Sequence, residues 1–420
     1  MDYDVVVIGA GAAGLFAAIR AAERGRRTLL LEKNRRPGVK ILMSGGTRCN
    51  LTHNTDVRGI VSAYGKPGRF LHSPLATLGP SDVVAFFEAE GVATKIESTG
   101  KVFPQSNRAA DVLAALLSRL RRTECELALE EPLTELTSIA DGFRLVTSRR
   151  TLTAAHVIVT TGGKSYPGSG TTGDGYAWCE ALGHTIVPPR PALTPITTND
   201  EWVRELTGVT IEDVDVRVVD PDPSSASNQT KKKKEDWLAR QRGSFLFTHF
   251  GLSGPAVLDV SRAVTGHAQP HRLLLVCDFL PAKSAEQLLD EFKRFAADDG
   301  KKQVVALLAA WAPRRLAEAL LAQAQVPLDL RAAEASKDVW RRVVGALKQQ
   351  PIHISGARGF KKAEVTAGGV ALGEVDSRTM ESRVCPGLYL AGEILDLDGP
   401  IGGYNFQAAF STGWLAGSCA

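Results

Sequence analysis

The sequence contains no C-x-x-C pair. Its six cysteines, Cys49, Cys125, Cys179, Cys277, Cys385 and Cys419, are scattered over 420 residues. That pattern excludes zinc-ribbon spacing and a disulfide framework, so reduced thiols and no metal are expected. A basic leader is missing as well. The chain opens MDYDVVVIGAG, with two acids where a secretory signal needs cations. The longest apolar stretch runs from Val5 to Ile19 and stops at Arg20, too short and too glycine-rich to span a bilayer. A cytoplasmic location without a membrane partner is therefore expected. Charge of one sign is also absent. With 50 Lys+Arg against 46 Asp+Glu the net charge is +4, so any nucleic-acid contact must rest on local clusters. Charged residues at 23% and apolar residues at 44% exclude disorder and collagen-like order. At roughly 150 residues per domain, the length suggests two or three domains.

Glycine is abundant. There are 40, and they are clustered, as where backbone must approach a ligand. Val5 to Ile8 reads as a strand buried on both faces, Ala12 to Arg24 as an Ala-rich helix, and Thr28 to Leu31 as a second strand closed by Glu32. That is a βαβ unit of the dinucleotide-binding kind. Lys40 to Asn50 reads as an aperiodic loop. Ser81 to Glu90 and Arg108 to Arg121 read as amphipathic helices, and Pro132 to Leu136, Phe143 to Thr147 and Thr153 to Thr160 as strands. Pro188, Pro189, Pro191 and Pro195 mark a boundary. Val209 to Val219 then alternates as an antiparallel strand, and Ser284 to Lys348 has helical spacing with breaks near Pro313 and Pro327. The expected architecture is α/β. A discontinuous Rossmann-like domain spans 1–190 and 360–420. A β-rich, barrel-like domain spans 191–282 and 350–359, and a helical domain spans 283–349.

Gly9-Ala10-Gly11-Ala12-Ala13-Gly14 is a G-x-G-x-x-G after a strand and before a helix. Gly9 makes the tight turn, Gly11 lets backbone approach a pyrophosphate, and Gly14 lets the helix pack on the strand. The helix N-terminus supplies N–H groups and positive potential to phosphate. Glu32 is placed to accept ribose hydroxyls. Gly38 to Asn50 reads GVKILMSGGTRCN and offers Ser44, Gly45, Gly46, Arg48 and Asn50 to a pyrophosphate or a polar ring edge. Thr161-Gly162-Gly163 ends one strand. Gly392-Glu393 ends another, and a glycine–acid corner there suits a second contact with a large cofactor. Gly402, Gly403, Tyr404, Asn405 and Phe406 open the last helix, whose N–H groups would face the electron-rich side of a bound ring system.

Together these motifs resemble one family. GAGAAG with Glu32, SGGTRCN, TGG-x-SYPGSGTTGDGY, THFGLSGPAVL at Thr248 to Leu258, VTAGGV and GLYLAGEILDLDGPIGGYNFQAAFSTG look like the aminoacetone-oxidase-like, BaiN-type FAD oxidoreductases of bacteria. The likeness covers essentially the whole chain in the same order, departing at Thr47, where the family usually has Gly, and at Ile401. It implies a three-domain flavoprotein with FAD as cofactor. It also adds Ala12, Ala13, Lys33, Lys40 and Leu133 to the residues that would hold FAD.

The family implies more than one chemistry. The favoured one is NAD(P)H-driven reduction of a carbon–carbon double bond, with a ribosomal RNA uridine as substrate. The alternatives are a small-amine oxidase that uses O2, and an RNA-binding or assembly factor in which FAD is structural. NAD(P)H would bind transiently, because no second G-x-G-x-x-G with a following acid occurs. Lys231, Lys232, Lys233 and Lys234, with Trp237, Arg240 and Arg242 behind them, form a basic and aromatic cluster suited to RNA, as do Arg358, Lys361 and Lys362. A solvated loop would look the same. Cys49, His249 and Tyr404 are the candidate catalytic acids, each weighed against an ordinary structural role.

Overall fold

Strands Tyr3–Ile8, Thr28–Leu31 and Thr151–Val159 lie side by side and parallel. Their apolar runs are fully buried, with Val5, Val6 and Val7 at 0% exposure, as a strand covered on both faces requires. The sheet order is Glu126–Ala128, Thr28–Leu31, Tyr3–Ile8, Thr151–Val159, Gly142–Thr147, Leu133–Ile139. Leu388–Leu390 pairs parallel with the C-terminal end of Thr151–Val159. The computed structural model describes residues 1–221 and 237–420. The Lys231 to Lys234 run lies outside them. The chain divides into two compact units, residues 1–191 with 363–420, and residues 192–362.

In the first unit, helix Ala12–Glu23 packs on the C-terminal helix Tyr404–Cys419 at very close range. A Cβ at Gly413 would lie 2.2 Å from the Ala13 carbonyl oxygen, and one at Gly417 2.3 Å from that of Ala17. Phe16 fills the space beside this contact, with ring centroids 4.7 Å from Phe86 and 4.6 Å from Phe410. The proline-rich stretch expected as a boundary is itself a strand, Ile186–Ala192, in a two-stranded sheet with Val365–Val370. Such an edge position tolerates proline. The segment expected to be an aperiodic loop begins as helix from Val39 and breaks at Ser44, Gly45 and Gly46, which leave helical φ/ψ.

The second unit holds a seven-stranded antiparallel sheet. Its order is Gln350–His353, Leu274–Asp278, Thr210–Val219, Ala239–Thr248, Gly251–Ser253, Ile196–Thr197, Gly356–Ala357. Val214, Val216 and Val218 alternate into its core. Helix Ala285–Asp298 starts with a capping box between Ser284 and Gln287. Phe292 and Trp340 stack at 4.6 Å and join the same cluster as the strand residues Phe245 and Leu275. Sheet and helices thus bury one continuous core. Across the boundary expected near residue 283, the apolar faces of the helices are covered by that sheet. Arg240 and Arg242 are ion-paired with Asp215 at 2.9 Å and Asp213 at 2.7 Å. Their charge is already answered within the sheet.

Ser382, His184 and Glu374 form a chain that mimics a hydrolytic triad. Ser382 Oγ lies 2.8 Å from His184 Nε2, and His184 Nδ1 lies 3.1 Å from Glu374 Oε2. The Ser382 oxygen also accepts from the Val384 and Cys385 backbone N–H groups. It therefore donates its proton to a neutral imidazole, and the set braces a turn. Burial holds the His184 pKa below its ordinary 6.5, against the opposing pull of Glu374. An unfolded chain protonates this histidine near 6.5, and the folded one only lower. The corresponding stability is present above 6.5 and lost as pH falls through it. Thermal melts between about pH 7.5 and 5.5 should show the loss, and His184→Gln should flatten that dependence.

Candidate cofactor site

The C-terminal ends of Thr28–Leu31, Tyr3–Ile8, Thr151–Val159 and Leu388–Leu390 meet along one sheet edge, where α/β folds bind ligands. Each strand hands over to a glycine or an acid that the sequence singles out. Gly9 has φ +102°, and a Cβ there would sit 2.9 Å from the Thr160 carbonyl oxygen. At Gly14 a Cβ would lie 1.8 Å from the Gly9 carbonyl oxygen. Thr160 Oγ1 donates towards the Ile8 and Gly9 carbonyls, both at 2.9 Å, and fastens the turn. Gly11 differs. Its φ is −84°, open to any residue, and a Cβ there meets nothing within 4 Å. The chain itself requires Gly9 and Gly14, whereas the space before Gly11 is a cradle that a side chain would fill. The first-turn N–H groups of Ala12 and Ala13 lie beside it, as a pyrophosphate requires.

Glu32 is 8% exposed. Its Oε2 accepts from the Ala10 N–H at 2.8 Å and its Oε1 from the Asn34 N–H at 2.9 Å. The carboxylate is thereby fixed beside the first glycine loop, with lone pairs left for ribose hydroxyls. Leu133 is buried at the start of its strand. Lys33 Nζ is held by Thr172 Oγ1 at 2.6 Å and Asp174 at 2.5 Å.

Glu393 is the centre of a clasp. Its carboxylate accepts from Lys40 Nζ at 2.5 Å, Ser165 Oγ at 2.7 Å and the Thr366 N–H at 2.9 Å. Lys40 also donates to Ser165 Oγ at 2.7 Å. Gly392 has φ +77° and a Cβ there would be 2.8 Å from Ala13 Cβ, so this corner abuts the nucleotide helix. A Cβ at Gly163 would strike Thr366. Thr161 Oγ1, one strand over, is buried with no hydrogen-bond partner among the described residues.

The SGGTRCN loop is built from left-handed backbone. Gly45, Gly46, Thr47 and Cys49 have φ of +55°, +67°, +69° and +60°. Thr47 is strained there, since a β-branched residue pays for that conformation. Thr47→Gly should raise stability by about 0.5–1 kcal/mol, the relieved strain being partly offset by glycine's chain entropy. A shift in the denaturation midpoint would measure it. Ser44 Oγ caps the Ile41 carbonyl, and Arg48 turns to Glu97 at 2.6 Å over the Phe103 ring. Cys49 is 0% exposed, and burial pushes its thiol up to about 12. Asn50 Oδ1 is buried without a partner among the described residues.

Asn50 Oδ1 lies 2.8 Å from where a Gly403 Cβ would be. Gly402 and Gly403 have φ of +131° and +94° and deliver the chain into helix Tyr404–Cys419. Tyr404 stacks on His53 at 4.8 Å, and His53 Nδ1 meets the Gly402 carbonyl at 3.1 Å. Asn405 braces Gly399 through both ends of its amide, and Phe406 packs on Phe410. His249 belongs to the second unit, exposed in the turn after Ala239–Thr248. Sequence reasoning missed Thr160, Ser165, Thr366, His53 and Gln407. The last accepts from Thr52 Oγ1 at 2.6 Å and donates to the Leu78 carbonyl. The orphaned Thr161 and Asn50 oxygens and the open cradle at Gly11 fit a long ligand with a pyrophosphate in its middle and a polar ring at one end, as FAD has. Among the described residues no helix is long and apolar enough to cross a membrane.

Comparison with known proteins agrees with this geometry. Residues 3–419 match the family described as HI0933-like protein Rossmann domain. The ribosomal RNA dihydrouridine synthase of Escherichia coli is 32% identical over 419 residues, 98% of this chain and 96% of that one. The 3-dehydro-bile acid delta(4,6)-reductase of Clostridium scindens is 32% identical over 417 residues, 99% of this chain and 98% of that one. The solved 3-ketosteroid delta1-dehydrogenase of Sterolibacterium denitrificans aligns over 99% of this chain and 98% of its own, with a TM-score of 0.53 at 13% identity, a likeness of fold. The cradle, the fixed Glu32 and a match over almost the whole chain lead to one conclusion: this chain belongs to the HI0933-like family and is a Rossmann-fold, FAD-dependent oxidoreductase.

Proposed function

We propose that the protein uses NAD(P)H to reduce a carbon–carbon double bond, and that its substrate is a uridine of ribosomal RNA. The observation that carries this reading is the Escherichia coli relative of that name, similar over nearly the whole of both chains. The Clostridium scindens relative, equally similar, is named for reduction of a bile acid. Reduction is therefore the better supported part of the reading and RNA the finer part. It goes with a cytoplasmic location.

Bound FAD supplies hydride transfer. The chain's own residues bind and orient. The Gly9 to Gly14 turn holds pyrophosphate against helix N–H groups, and Glu32 accepts from ribose. Lys40, pinned between Glu393 and Ser165, keeps one cation at a fixed point beside Gly392 and the nucleotide helix. Saturating a double bond needs a proton after the hydride. Cys49 keeps its proton at neutral pH but is closed off. Tyr404, at a helix N-terminus on the His53 ring, is the acid we favour.

The test is anaerobic reduction by NADPH, then reoxidation timed separately with uridine-containing ribosomal RNA and with O2. Rapid reoxidation by RNA, with dihydrouridine as product, is expected, and Tyr404→Phe should slow that step while leaving reduction by NADPH intact. Reoxidation by O2 alone would favour the amine oxidase. Replacing Lys231, Lys232, Lys233 and Lys234 with Ala should weaken RNA binding and flatten its salt dependence. Each phosphate contact contributes a slope of about 0.9 on duplex or about 0.7 on single strands. Affinity over a salt series measures it, and unchanged slopes would remove this run from the RNA interface.

A further inference from the structure

Two segments of the second unit meet without a carboxylate in either. Ser244 to Leu258 and Ile354 to Lys362 contain no Asp or Glu, yet carry His249, Arg358, Lys361 and Lys362. Strand Ile196–Thr197 joins them, pairing with Gly251–Ser253 on one side and Gly356–Ala357 on the other. The approach is tight. Gly251 has φ +141°, and a Cβ there would lie 2.4 Å from the Ile196 carbonyl oxygen. This brings the Arg358 guanidinium over the Phe250 ring at 4.4 Å. The His249 ring stands edge-on to the same phenyl at 4.9 Å. The Arg358 N–H donates to the Pro195 carbonyl at 3.0 Å, and the Thr198 N–H to that of Phe250 at 3.3 Å, so both backbones are anchored. Lys361, Lys362 and His249 are exposed. Among the described residues, Arg358, Lys361 and Lys362 enter no ion pair. Arg240 and Arg242 of the same sheet behave differently, each being matched to an aspartate.

We propose that the Phe250–Arg358 stack, with Lys361 and Lys362, is a docking surface for single-stranded RNA, an inference that rests on the RNA reading above. A guanidinium held over an aromatic ring at 4.4 Å is pre-positioned. Its other face takes an unstacked base and its N–H edge a phosphate. The two lysines add unneutralised point charges for the flanking phosphates. A duplex keeps its bases stacked and uses the platform poorly, which selects a looped-out or single-stranded segment.

The experiment uses the full-length, FAD-loaded protein and a fluorescein-labelled, uridine-rich single-stranded RNA over a salt series. A variant with Arg358, Lys361 and Lys362 all changed to Ala should bind about tenfold more weakly at low salt. Its salt slope should fall by up to about 2, three contacts at about 0.7 each. Arg358→Lys should keep the slope and lose only a few-fold in affinity, because charge stays and stacking goes. FAD content and melting temperature should match the wild type in both. If the wild type binds this RNA and the triple variant binds with the same affinity and slope, the surface is overturned and the RNA reading survives. If the wild type does not bind at low salt, both fall.

Discussion

Gly11→Val is expected to purify folded and colourless. The backbone at Gly11 sits at φ −84°, ψ −165°, a conformation valine adopts without strain, and its Cβ would meet no protein atom within 4 Å. The variant therefore costs the fold little. The new isopropyl group instead occupies the cradle where first-turn N–H groups would meet a pyrophosphate. Each charge-assisted hydrogen bond lost there is worth about 1.5–3 kcal/mol, so losing two weakens retention by more than about a hundredfold. Gly9→Val and Gly14→Val cannot make this distinction. At Gly14 the side chain would drive into the Gly9 carbonyl, and the protein would fail with the cofactor. The measurement is flavin absorbance released by denaturation, read beside circular dichroism. Normal FAD content in folded Gly11→Val would sink the assignment of this turn.

Phe16→Ala should be the most damaging truncation in the first unit. The ring is 0% exposed and lies among Phe86, Phe87, Phe410 and Trp414, at centroid distances of 4.7, 6.2, 4.6 and 6.1 Å. Cutting a buried phenyl to a methyl costs about 3–5 kcal/mol in transfer and cavity terms. Four aromatic rings cannot collapse into the gap without leaving their own contacts. Denaturant titration should show a lowered midpoint with soluble protein retained at low temperature. A midpoint within about 0.5 kcal/mol of wild type would mean that the cluster repacks freely.

How much of this was legible beforehand depends on sequence distance. The G-x-G-x-x-G was legible because its constraint is local. Gly14 must be glycine on account of Gly9, five residues away. Glu32 was legible because a parallel strand ends there. The Glu393 clasp was not, since Lys40 lies 353 residues from its partner and Ser165 228. No local pattern encodes which lysine and which serine meet a given acid. The His53–Tyr404 stack was hidden for the same reason. Arg240 and Arg242 read as available cations because only strand register pairs them with aspartates some 25 residues away. In the second unit, the change from alternating to helical periodicity is real. An amphipathic helix needs a partner, and the adjacent sheet is that partner.

The contact between Gly413 and the Ala13 carbonyl has a consequence for synthesis. A ribosome that has made the first 200 residues has already made the whole nucleotide-binding turn. It has not made Leu388–Leu390, which pairs with Thr151–Val159, nor Glu393, nor the helix that lies on Ala13 and Ala17. The second unit is continuous in sequence, residues 192–362, and has its own core. It can fold as it emerges, while the earlier residues wait with Phe16 and its neighbours uncovered. The core begun first is thus the one that translation completes last. Nascent chains long enough for residue 362 to have left the ribosome, yet lacking the helix Tyr404–Cys419, would protect the middle of the sequence from protease while leaving its beginning open to chaperones.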